Sequence, residues 1–480
     1  MFNTIHEECG VFGIFEPEKC KVASSVYYGL YALQHRGQEA CGIAVCNDGV
    51  IDYIKGIGLV NEVFNKENLK NINTGNMAIG HVRYSTTGGN NINNIQPIVI
   101  QHNKGNLALA HNGNLTNAYD LRASFELNGA IFHGTSDTES ICYSIVKERI
   151  KTDSIESAIK KVMTKIKGAY SCVALSSTKL IAFRDPYGFR PLVLGKTKSN
   201  GYVVASETCA LDAVGATFIR DILPGEIVVI SNEGIKSIKP ESHHKKSLCI
   251  FEYIYFARPD SIIEGVSVHE ARLNAGKILA QESPIDADVV IGVPDSGIDA
   301  ALGYSLESNI PYGIGFIKNK YIGRSFIAPS QEERENAVKI KLNVIKETIK
   351  NKRVILIDDS IVRGTTSQRI VKILRDAGAK EVHLRITAPA FKYPCHFGTD
   401  IDSQENLIAC KYKTNDEICN HIGADSLAFI SVNGIHKLAK DLYCTYCDGC
   451  FTGKYPIRIP NNINNISKYS MTIKNIKKDA

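Results

Sequence analysis

The sequence lacks a long apolar run, a basic amino-terminal leader and a strong excess of charge. No apolar stretch in its 480 residues is long enough to span a membrane, and residues 1–8 carry acids where a signal peptide carries basic side chains. The formal charge is +6, and the last 24 residues account for +4 of it, so the rest gives no indication of nucleic-acid binding. We therefore expect a cytoplasmic protein with no membrane or nucleic-acid partner.

Length and composition indicate a multidomain globular chain. Hydrophobic residues make up 44% of the sequence and charged residues 22%, which excludes a disordered, collagen-like or coiled-coil protein. At roughly 150 residues per domain, the length predicts two or three domains. In a reducing compartment the 14 cysteines are thiols, nucleophiles or metal ligands rather than disulfides.

The chain changes character near residue 240. Before it, short apolar runs between turns predict layered α and β structure, with one clear helical pattern from Val22 to Leu33. The polar stretch 236–247 predicts a domain boundary. Beyond it, continuous apolar runs at 289–293 and 354–357 are typical of buried parallel strands.

The most specific motif joins the second of these strands to a predicted helix over 365–378, with strand alternation resuming at 382–386. Asp358 and Asp359 end the strand, and a polar cluster opens the helix: Arg363, Gly364, Thr365, Thr366 and Ser367. N–H groups and hydroxyls at a helix start bind phosphate, while carboxylates at a strand end bind a ribose diol or Mg²⁺. An ordinary capped turn explains Thr365 or Ser367 but not two acids. The motif therefore predicts a phosphorylated sugar as ligand.

This motif resembles the fingerprint of the type I phosphoribosyltransferases, which bind 5-phosphoribosyl 1-pyrophosphate (PRPP). Residues 292–297 resemble the loop that those enzymes place on the pyrophosphate side, and the segment from Lys318 to Arg324 resembles their flexible closing loop. The resemblance implies that Mg²⁺ is coordinated through three side chains: Ser296, Asp358 and Asp359.

The N-terminal half carries a second set of motifs, at 9–13, 35–37, 81–86, 111–113 and 134–139. In this order they resemble the glutamine amidotransferases with an N-terminal nucleophile. The resemblance implies that Cys9 is the nucleophile once residues 1–8 are removed as a propeptide, with its own α-amino group, of reference pKa about 8, as the base. Taken singly, each motif is more often a buried thiol, a surface ion pair or a plain turn.

The same resemblance implies roles for the other residues of this predicted site. Arg83 would bind the carboxylate of the substrate and Asp137 its ammonium group. The Asn112 side chain and the Gly113 N–H would hold the oxyanion.

Together the two halves resemble the amidophosphoribosyltransferase family over nearly all of residues 1–456. The implied fold is mixed α/β and α+β: an αββα sandwich of the N-terminal-nucleophile hydrolases over 9–240, then a parallel-sheet phosphoribosyltransferase domain over 241–456 and a basic tail over 457–480. The implied reaction transfers ammonia from glutamine to PRPP, giving 5-phosphoribosylamine, pyrophosphate and glutamate, the first committed step of purine synthesis. A homotetramer inhibited by purine nucleotides is implied as well.

The resemblance also implies a 4Fe-4S cluster, because the leader before Cys9 is typical of the form of the family that carries one. The implied ligands are Cys249, Cys395, Cys447 and Cys450. Spacing alone does not choose iron–sulfur over zinc, and Cys444 leaves the choice of ligands open. The remaining cysteines are predicted to be small buried side chains: Cys20, Cys41, Cys46, Cys142, Cys172, Cys209, Cys410 and Cys419.

Two other functions stay open at this point. A regulator could sense PRPP without catalysis, since a fold does not prove an activity, but the sequence contains no helix-turn-helix pattern. A different glutaminase-coupled synthase, such as one that makes an amino sugar, would lack the double acid and phosphate motif that ends at Ser367.

Overall fold

The computed structural model describes residues 9–84, 91–240, 244–319, 342–401, 403–439 and 445–460. Several sequence-based predictions fall outside these ranges: the propeptide at 1–8, Arg324, Cys444 and most of the tail. Within the described ranges, no helix combines the length and apolar character that a membrane crossing requires.

The described part of the N-terminal half contains thirteen strands and seven helices. In its described part the strands are β1 (Gly10–Cys20), β2 (Ala40–Asn47), β3 (Val50–Ile57), β4 (Gly75–Arg83), β5 (Ile98–His102), β6 (Gly105–Asn112), β7 (Ser171–Ser176), β8 (Leu180–Arg184), β9 (Val193–Lys196), β10 (Tyr202–Ala205), β11 (Thr217–Asp221), β12 (Ile227–Ser231) and β13 (Gly234–Ile238). The helices are α1 (Val22–Ala32), α2 (Val60–Val63), α3 (Lys66–Ile72), α4 (Ala118–Glu126), α5 (Asp137–Arg149), α6 (Ile155–Met163) and α7 (Thr208–Ala213), with a 3₁₀ turn at Ile92–Asn94.

These elements form four layers. One antiparallel sheet has the order β11–β9–β10–β1–β4–β2–β3 and the other the order β13–β12–β8–β7–β6–β5. Along β1 the side chains alternate, so that Phe12 packs under α1 while Val11 packs against the facing sheet. Helices α5 and α6 cover the outer face of the second sheet through Ile141 and Ile159. The predicted αββα sandwich is therefore confirmed.

The C-terminal half is built around a parallel sheet. Its described strands are β14 (Ser247–Cys249), β15 (Ile262–Ile263), β16 (Val266–Ser267), β17 (Val289–Gly292), β18 (Phe316–Lys318), β19 (Leu342–Val344), β20 (Arg353–Asp358), β21 (Glu381–Ile386), β22 (Ser426–Phe429) and β23 (Thr445–Cys447). Its helices are α8 (Val268–Glu282), α9 (Gly297–Ser308), α10 (Lys346–Ile349), α11 (Thr365–Asp376), α12 (Ile408–Lys411), α13 (Asn415–Ile422), α14 (Val432–Ile435) and α15 (Gly449–Thr452), with a π-helical turn at Glu252–Phe256 and a 3₁₀ turn at Gln404–Asn406.

The parallel sheet has the order β17–β20–β21–β22, and every neighbouring pair is parallel. The apolar runs of β17 and β20 are buried because helices cover both faces, as the sequence predicts. Strand β20, helix α11 and strand β21 form the predicted βαβ unit. Gly292 pairs with Ile357, so the loop after β17 and the acids after β20 meet at one edge of the sheet.

Around the predicted division near 240, the described residues 239–240 and 244–246 belong to no strand. Strand β13 ends at Ile238, and the next strand begins at Ser247. Ile457 and Ile459, at the start of the predicted tail, pack against a cluster that contains Phe189 and Phe397.

The cysteines outside the predicted sites follow the sequence-based expectation with two exceptions. Cys41, Cys46, Cys142, Cys172, Cys209 and Cys419 are buried as predicted. Cys20 and Cys410 are exposed, so that prediction was wrong for them. Cys20 ends β1 where the strand leaves the sheet core, and Cys410 lies on the outer side of the short helix α12.

Candidate active site

Cys9 lies directly before β1, at the end of the first sheet. Because Gly10 pairs with Val82 of β4, the Cys9 side chain lies next to the end of that strand, and its Sγ lies 3.5 Å from the Tyr84 carbonyl oxygen. Arg83, the last residue of β4, is buried, and burial lowers the pKa of its guanidinium. Negative charge at Cys9, Glu39 and Asp137 opposes that shift.

Asn112 and Gly113 end β6, on the facing sheet. The Asn112 Nδ2 atom is buried and has no hydrogen-bond partner among the described residues. Gly113 has a φ of +130°, and a Cβ atom there would lie 2.2 Å from the Ala169 carbonyl oxygen, so only glycine fits. A buried amide donor beside a glycine N–H is suited to an anionic oxygen.

Two histidines link these strands. The Nε2 atom of His81, on β4, lies 3.1 Å from the carbonyl oxygen of His111, on β6. Burial lowers the pKa of His81 to about 3, with a contribution from the Arg83 charge, so this imidazole is neutral. The contact joins the strand of Arg83 to the strand of Asn112.

Asp137 completes the group from the start of α5. Ser136 caps this helix by accepting a hydrogen bond from the Thr138 N–H at 3.2 Å. The buried Asp137 carboxylate accepts a hydrogen bond from the Leu115 N–H at 2.9 Å, three residues beyond Asn112. The structure thus brings Cys9, Arg83, Asn112, Gly113 and Asp137 together at one end of the sandwich.

A second site lies at the edge of the parallel sheet, where β20 turns into α11. Gly364, at the N-cap of α11, has a φ of +82°, which favours glycine, and Thr365, Thr366 and Ser367 form the first turn. N–H groups in a first helical turn lack intrahelical partners. The Thr366 Oγ1 atom is buried with no hydrogen-bond partner among the described residues. This turn is suited to a phosphate group, with Arg363 half-buried just before it.

The two acids after β20 are buried and linked to the loop after β17. The Ser296 hydroxyl donates to Asp359 at 2.5 Å, and the Ser360 hydroxyl donates to the other oxygen of the same carboxylate. Burial and the Asp359 charge raise the pKa of Asp358 well above its usual range. Burial also raises the pKa of Asp359, although the hydroxyls of Ser296 and Ser360 and the Arg272 charge oppose the shift. Such a pair is stabilised by a cation or by a ribose diol.

The predicted closing loop is described only at its start. Lys318 ends β18 and pairs with Asp295 at 2.5 Å, so its ammonium group reaches the loop 292–297. The rest of the predicted loop, from residue 320 through Arg324, lies outside the described residues.

The four predicted cluster ligands line one small cavity. Cys249 comes from β14, Cys395 from a loop, and Cys447 and Cys450 from β23 and α15, and the wall is otherwise mainly aromatic and aliphatic. Burial raises the pKa of Cys447 to about 12 and that of Cys450 well above its usual range. In the described part of the chain, no three or more His, Cys, Asp or Glu side chains are grouped as a single metal ion requires.

The sequence did not identify Glu252 and Glu207 as neighbours of the first site. Both are buried and pair with Arg36, from the motif at 35–37, whose Nε donates to the Cys9 carbonyl oxygen at 3.2 Å. Charged side chains are usually exposed, so a single sequence gives no signal for two buried acids this far from their partner.

Comparison with known proteins yields matches for each half and for the whole chain. A glutamine amidotransferase domain model matches residues 81–213, and a phosphoribosyl transferase domain model matches residues 267–393. An amidophosphoribosyltransferase from Methanocaldococcus jannaschii is 49% identical over 468 residues, covering 94% of this chain and 98% of its own. One from Bacillus subtilis is 48% identical over 460 residues, covering 95% of both chains. A solved structure of the glutamine PRPP amidotransferase from B. subtilis, complexed with ADP and GMP, aligns with a TM-score of 0.88 and 47% identity, covering 96% of this chain and 100% of that one.

The fold and the two sites define an enzyme in which a glutamine amidotransferase is joined to a phosphoribosyltransferase. With this identity over nearly its whole length, the chain belongs to the amidophosphoribosyltransferase family. The predicted family, fold class, enzyme class and reaction are thereby confirmed, and the regulator and the amino-sugar synthase are set aside.

Proposed function

We propose that the two sites divide the glutamine-dependent amination of PRPP between them, and that Cys9 begins it by attacking the glutamine amide. The convergence of Cys9, Arg83, Asn112 and Asp137 at one end of the sandwich supports this proposal. In it, residues 1–8 have been removed and the α-amino group of Cys9 takes the proton of its thiol. The thiolate forms a thioester, the proton leaves with ammonia, and water later releases glutamate.

In this site each buried group has a distinct task. Arg83 binds the carboxylate of glutamine, and Asp137 binds its ammonium group. The Asn112 Nδ2 atom and the Gly113 N–H donate to the oxyanion. Because that Nδ2 atom has no partner among the described residues, it can bind the oxyanion without first breaking another bond.

The second site binds PRPP. The first turn of α11, from Thr365 to Ser367, binds the 5-phosphate, with Arg363 and Gly364 in the preceding loop. Asp358 and Asp359 face the ribose, where their charge stabilises the positive ring that forms as pyrophosphate leaves. The Ser296 hydroxyl and these carboxylates are an all-oxygen set that fits Mg²⁺, which would supply charge neutralisation on the leaving group.

Ammonia must pass from the first site to the second without mixing with bulk water. At neutral pH most ammonia in water is ammonium, which is not a nucleophile, so the route must be closed to solvent. We propose the segment from Lys318 to Arg324 as the lid over PRPP. The ion pair between Lys318 and Asp295, at the pyrophosphate loop, supports this assignment.

Binding of Mg²⁺ and PRPP is expected to release protons and to strengthen as the pH rises. Burial raises the pKa values of Asp358 and Asp359, so the free pair retains a proton at a pH where isolated aspartates do not. The cation requires the ionised pair, and the proton must therefore leave on binding. Calorimetry in two buffers of different ionisation enthalpy would count the protons released. The same heat in both buffers would contradict the assignment.

We also propose that Cys249, Cys395, Cys447 and Cys450 hold a 4Fe-4S cluster. Zinc needs four sulfurs at about 2.3 Å from one point, whereas a cluster spreads its iron atoms and holds the sulfurs farther apart. The four cysteines line one cavity and come from three chain segments, which supports the cluster. When bound, the cluster would form bonds to four thiolates that burial disfavours and would cross-link three chain segments.

The variant Cys450→Ser is expected to lose iron and sulfide together and to lower the melting temperature by at least about 5 °C. The matched control is Cys410→Ser, because Cys410 is exposed and does not line the cavity. Iron, zinc and acid-labile sulfide would be measured per chain after anaerobic purification. Zinc without sulfide in the unaltered protein would overturn the cluster assignment.

We further propose feedback inhibition by purine nucleotides, a homotetramer and a cytoplasmic location. The B. subtilis relative complexed with ADP and GMP supports nucleotide regulation. The resemblance to the family supports the homotetramer and the cytoplasmic location. Light scattering of the purified protein with and without GMP would test the assembly and its dependence on nucleotide.

A further inference from the structure

A buried ion network joins the two halves of the chain beside the glutamine site. Glu252 accepts hydrogen bonds from Arg36 Nη2 at 2.7 Å and from Arg36 Nη1 at 2.9 Å. Its Oε1 atom also lies 3.5 Å from Arg190 Nη1, and all three side chains are fully buried. Both arginines belong to the N-terminal half, whereas Glu252 opens the π-helical turn Glu252–Phe256 of the C-terminal half.

The first arginine reaches the nucleophile. Arg36 Nε donates to the main-chain carbonyl oxygen of Cys9 at 3.2 Å. Glu252 holds both Nη atoms of Arg36, and Glu207 also accepts from Nη1 at 2.6 Å, so the plane of the guanidinium is fixed. Of these two acids only Glu252 belongs to the C-terminal half, and the orientation of the Cys9 main chain therefore depends in part on where Glu252 lies.

The second arginine reaches the segment behind the oxyanion glycine. Arg190 Nη2 donates to the Phe397 carbonyl oxygen at 2.9 Å. The next residue, Gly398, has a φ of +121°, and a Cβ atom added there would lie 3.1 Å from Arg190 Nη2 and 3.4 Å from the Gly113 Cα. Gly113 is thus packed against a segment of the C-terminal half that Arg190 holds in place.

The C-terminal half fixes Glu252 firmly. Arg272 of α8 is buried and donates to the carbonyl oxygens of Tyr253 and Ala257, each at 2.8 Å, and to that of Tyr255 at 3.0 Å. These bonds hold the turn that begins at Glu252 against the helix that precedes the parallel sheet.

We propose that Glu252 is a positioning residue for the glutamine reaction: one carboxylate from the phosphoribosyltransferase half orients the nucleophile through Arg36 and the oxyanion glycine through Arg190. The inference rests on the proposed roles of Cys9 and Gly113. A displacement of about 1 Å at reacting groups can lower a rate by about 100-fold, so this control of geometry matters for kcat. It acts on glutamine use and not on the chemistry at PRPP.

The test is Glu252→Gln, which keeps the size of the side chain and removes its charge. We expect kcat with glutamine to fall by about 10- to 100-fold. KM for glutamine should change by less than about threefold, because Arg83 and Asp137 still bind the substrate. Turnover with added ammonia should stay unchanged, and the pH profile of Cys9 alkylation by iodoacetamide should shift.

The matched control is Glu226→Gln. Glu226 is likewise a buried acid that holds an arginine through both Nη atoms: Arg220 Nη1 lies at 2.8 Å and Nη2 at 2.7 Å. The other hydrogen bond of the Arg220 side chain among the described residues goes to the Asp221 carbonyl oxygen, away from Cys9 and Gly113. This control should leave both activities and the alkylation profile unchanged.

A second variant acts on Arg190 and Gly113 rather than on Arg36, and it leaves every charge in place. Gly398→Ala is expected to produce the same loss of kcat with glutamine, and Gly105→Ala, at a φ of +114° in a hairpin turn, controls for backbone strain. Equal losses of glutamine and ammonia turnover in both variants, or no loss in either, would overturn the inference. If Cys9→Ala retained glutamine turnover, the proposed function itself would fail instead.

Discussion

Replacing Cys9 with alanine is expected to lower turnover with glutamine by at least about 1000-fold and to leave turnover with added ammonia near the unaltered rate. Without a thiol, no thioester forms, and the oxyanion donors cannot replace the missing bond. The parallel sheet and its acids lie in the other half of the chain, so ammonia supplied from solution still meets PRPP. Pyrophosphate release with each nitrogen source would measure both rates.

The control for this prediction is Cys20→Ala, since Cys20 ends the same strand that Cys9 precedes but is exposed. It should retain both activities. The amino terminus of each protein must be read by mass, because a retained leader would block the α-amino base of Cys9. Glutamine turnover by Cys9→Ala, or loss of ammonia turnover with it, would contradict the assigned role.

The phosphate site could be predicted because its parts are contiguous in sequence. The apolar run of β20, the acids Asp358 and Asp359 and the polar start of α11 follow one another within 14 residues, from 354 to 367. A strand buried on both faces has few alternatives, and the turn after it must lie at the edge of the sheet. The contribution of Ser296 came only from the resemblance, because it belongs to another strand's loop.

The structure around the glutamine site was harder to predict from the apolar pattern of the sequence. Helix α5 begins with a buried run of polar residues, from Asp137 to Ser140, because this end faces the site rather than solvent. A buried polar turn interrupts the apolar repeat by which helices are recognised. The described part of the N-terminal half contains seven helices, whereas the apolar pattern of the sequence clearly predicted only one of them.

The buried ion network could not be predicted from the sequence. Arg36 and Glu252 are separated by 216 residues and share no local pattern. Each charged side chain, considered alone, is expected at the surface. The packing of the two halves against each other excludes water from both side chains. The ion pair between Arg36 and Glu252 then offsets the cost of burying the two charges.

Replacing Asp358 with asparagine is expected to lower turnover strongly with both nitrogen sources and to stabilise the metal-free protein. The variant loses a negative charge that stabilises the positive ribose ring of the transition state. This loss should lower kcat by about 100- to 1000-fold. Asparagine keeps an oxygen that can accept the Asp359 N–H hydrogen bond, now 3.0 Å long. Because asparagine replaces a carboxyl group whose ionisation burial and the Asp359 charge oppose, stability should rise by about 1–2 kcal/mol at neutral pH.

The sign of the stability change follows from the raised pKa of Asp358. Above the pKa of the unfolded chain, an unfolded Asp358 ionises freely, whereas the folded one must keep a proton or bear a buried charge. The unaltered protein is therefore penalised at neutral pH, and the penalty disappears as the pH falls to about 4. Thermal unfolding of both proteins from pH 4 to 8, without Mg²⁺, should give melting temperatures that diverge as the pH rises.

The exposed residue Asp286 provides the control, since Asp286→Asn should neither gain stability nor lose activity. A difference in melting temperature that stays constant with pH would mean that Asp358 ionises at no cost in the free protein. Its place in a cation-dependent PRPP site would then lose its electrostatic basis.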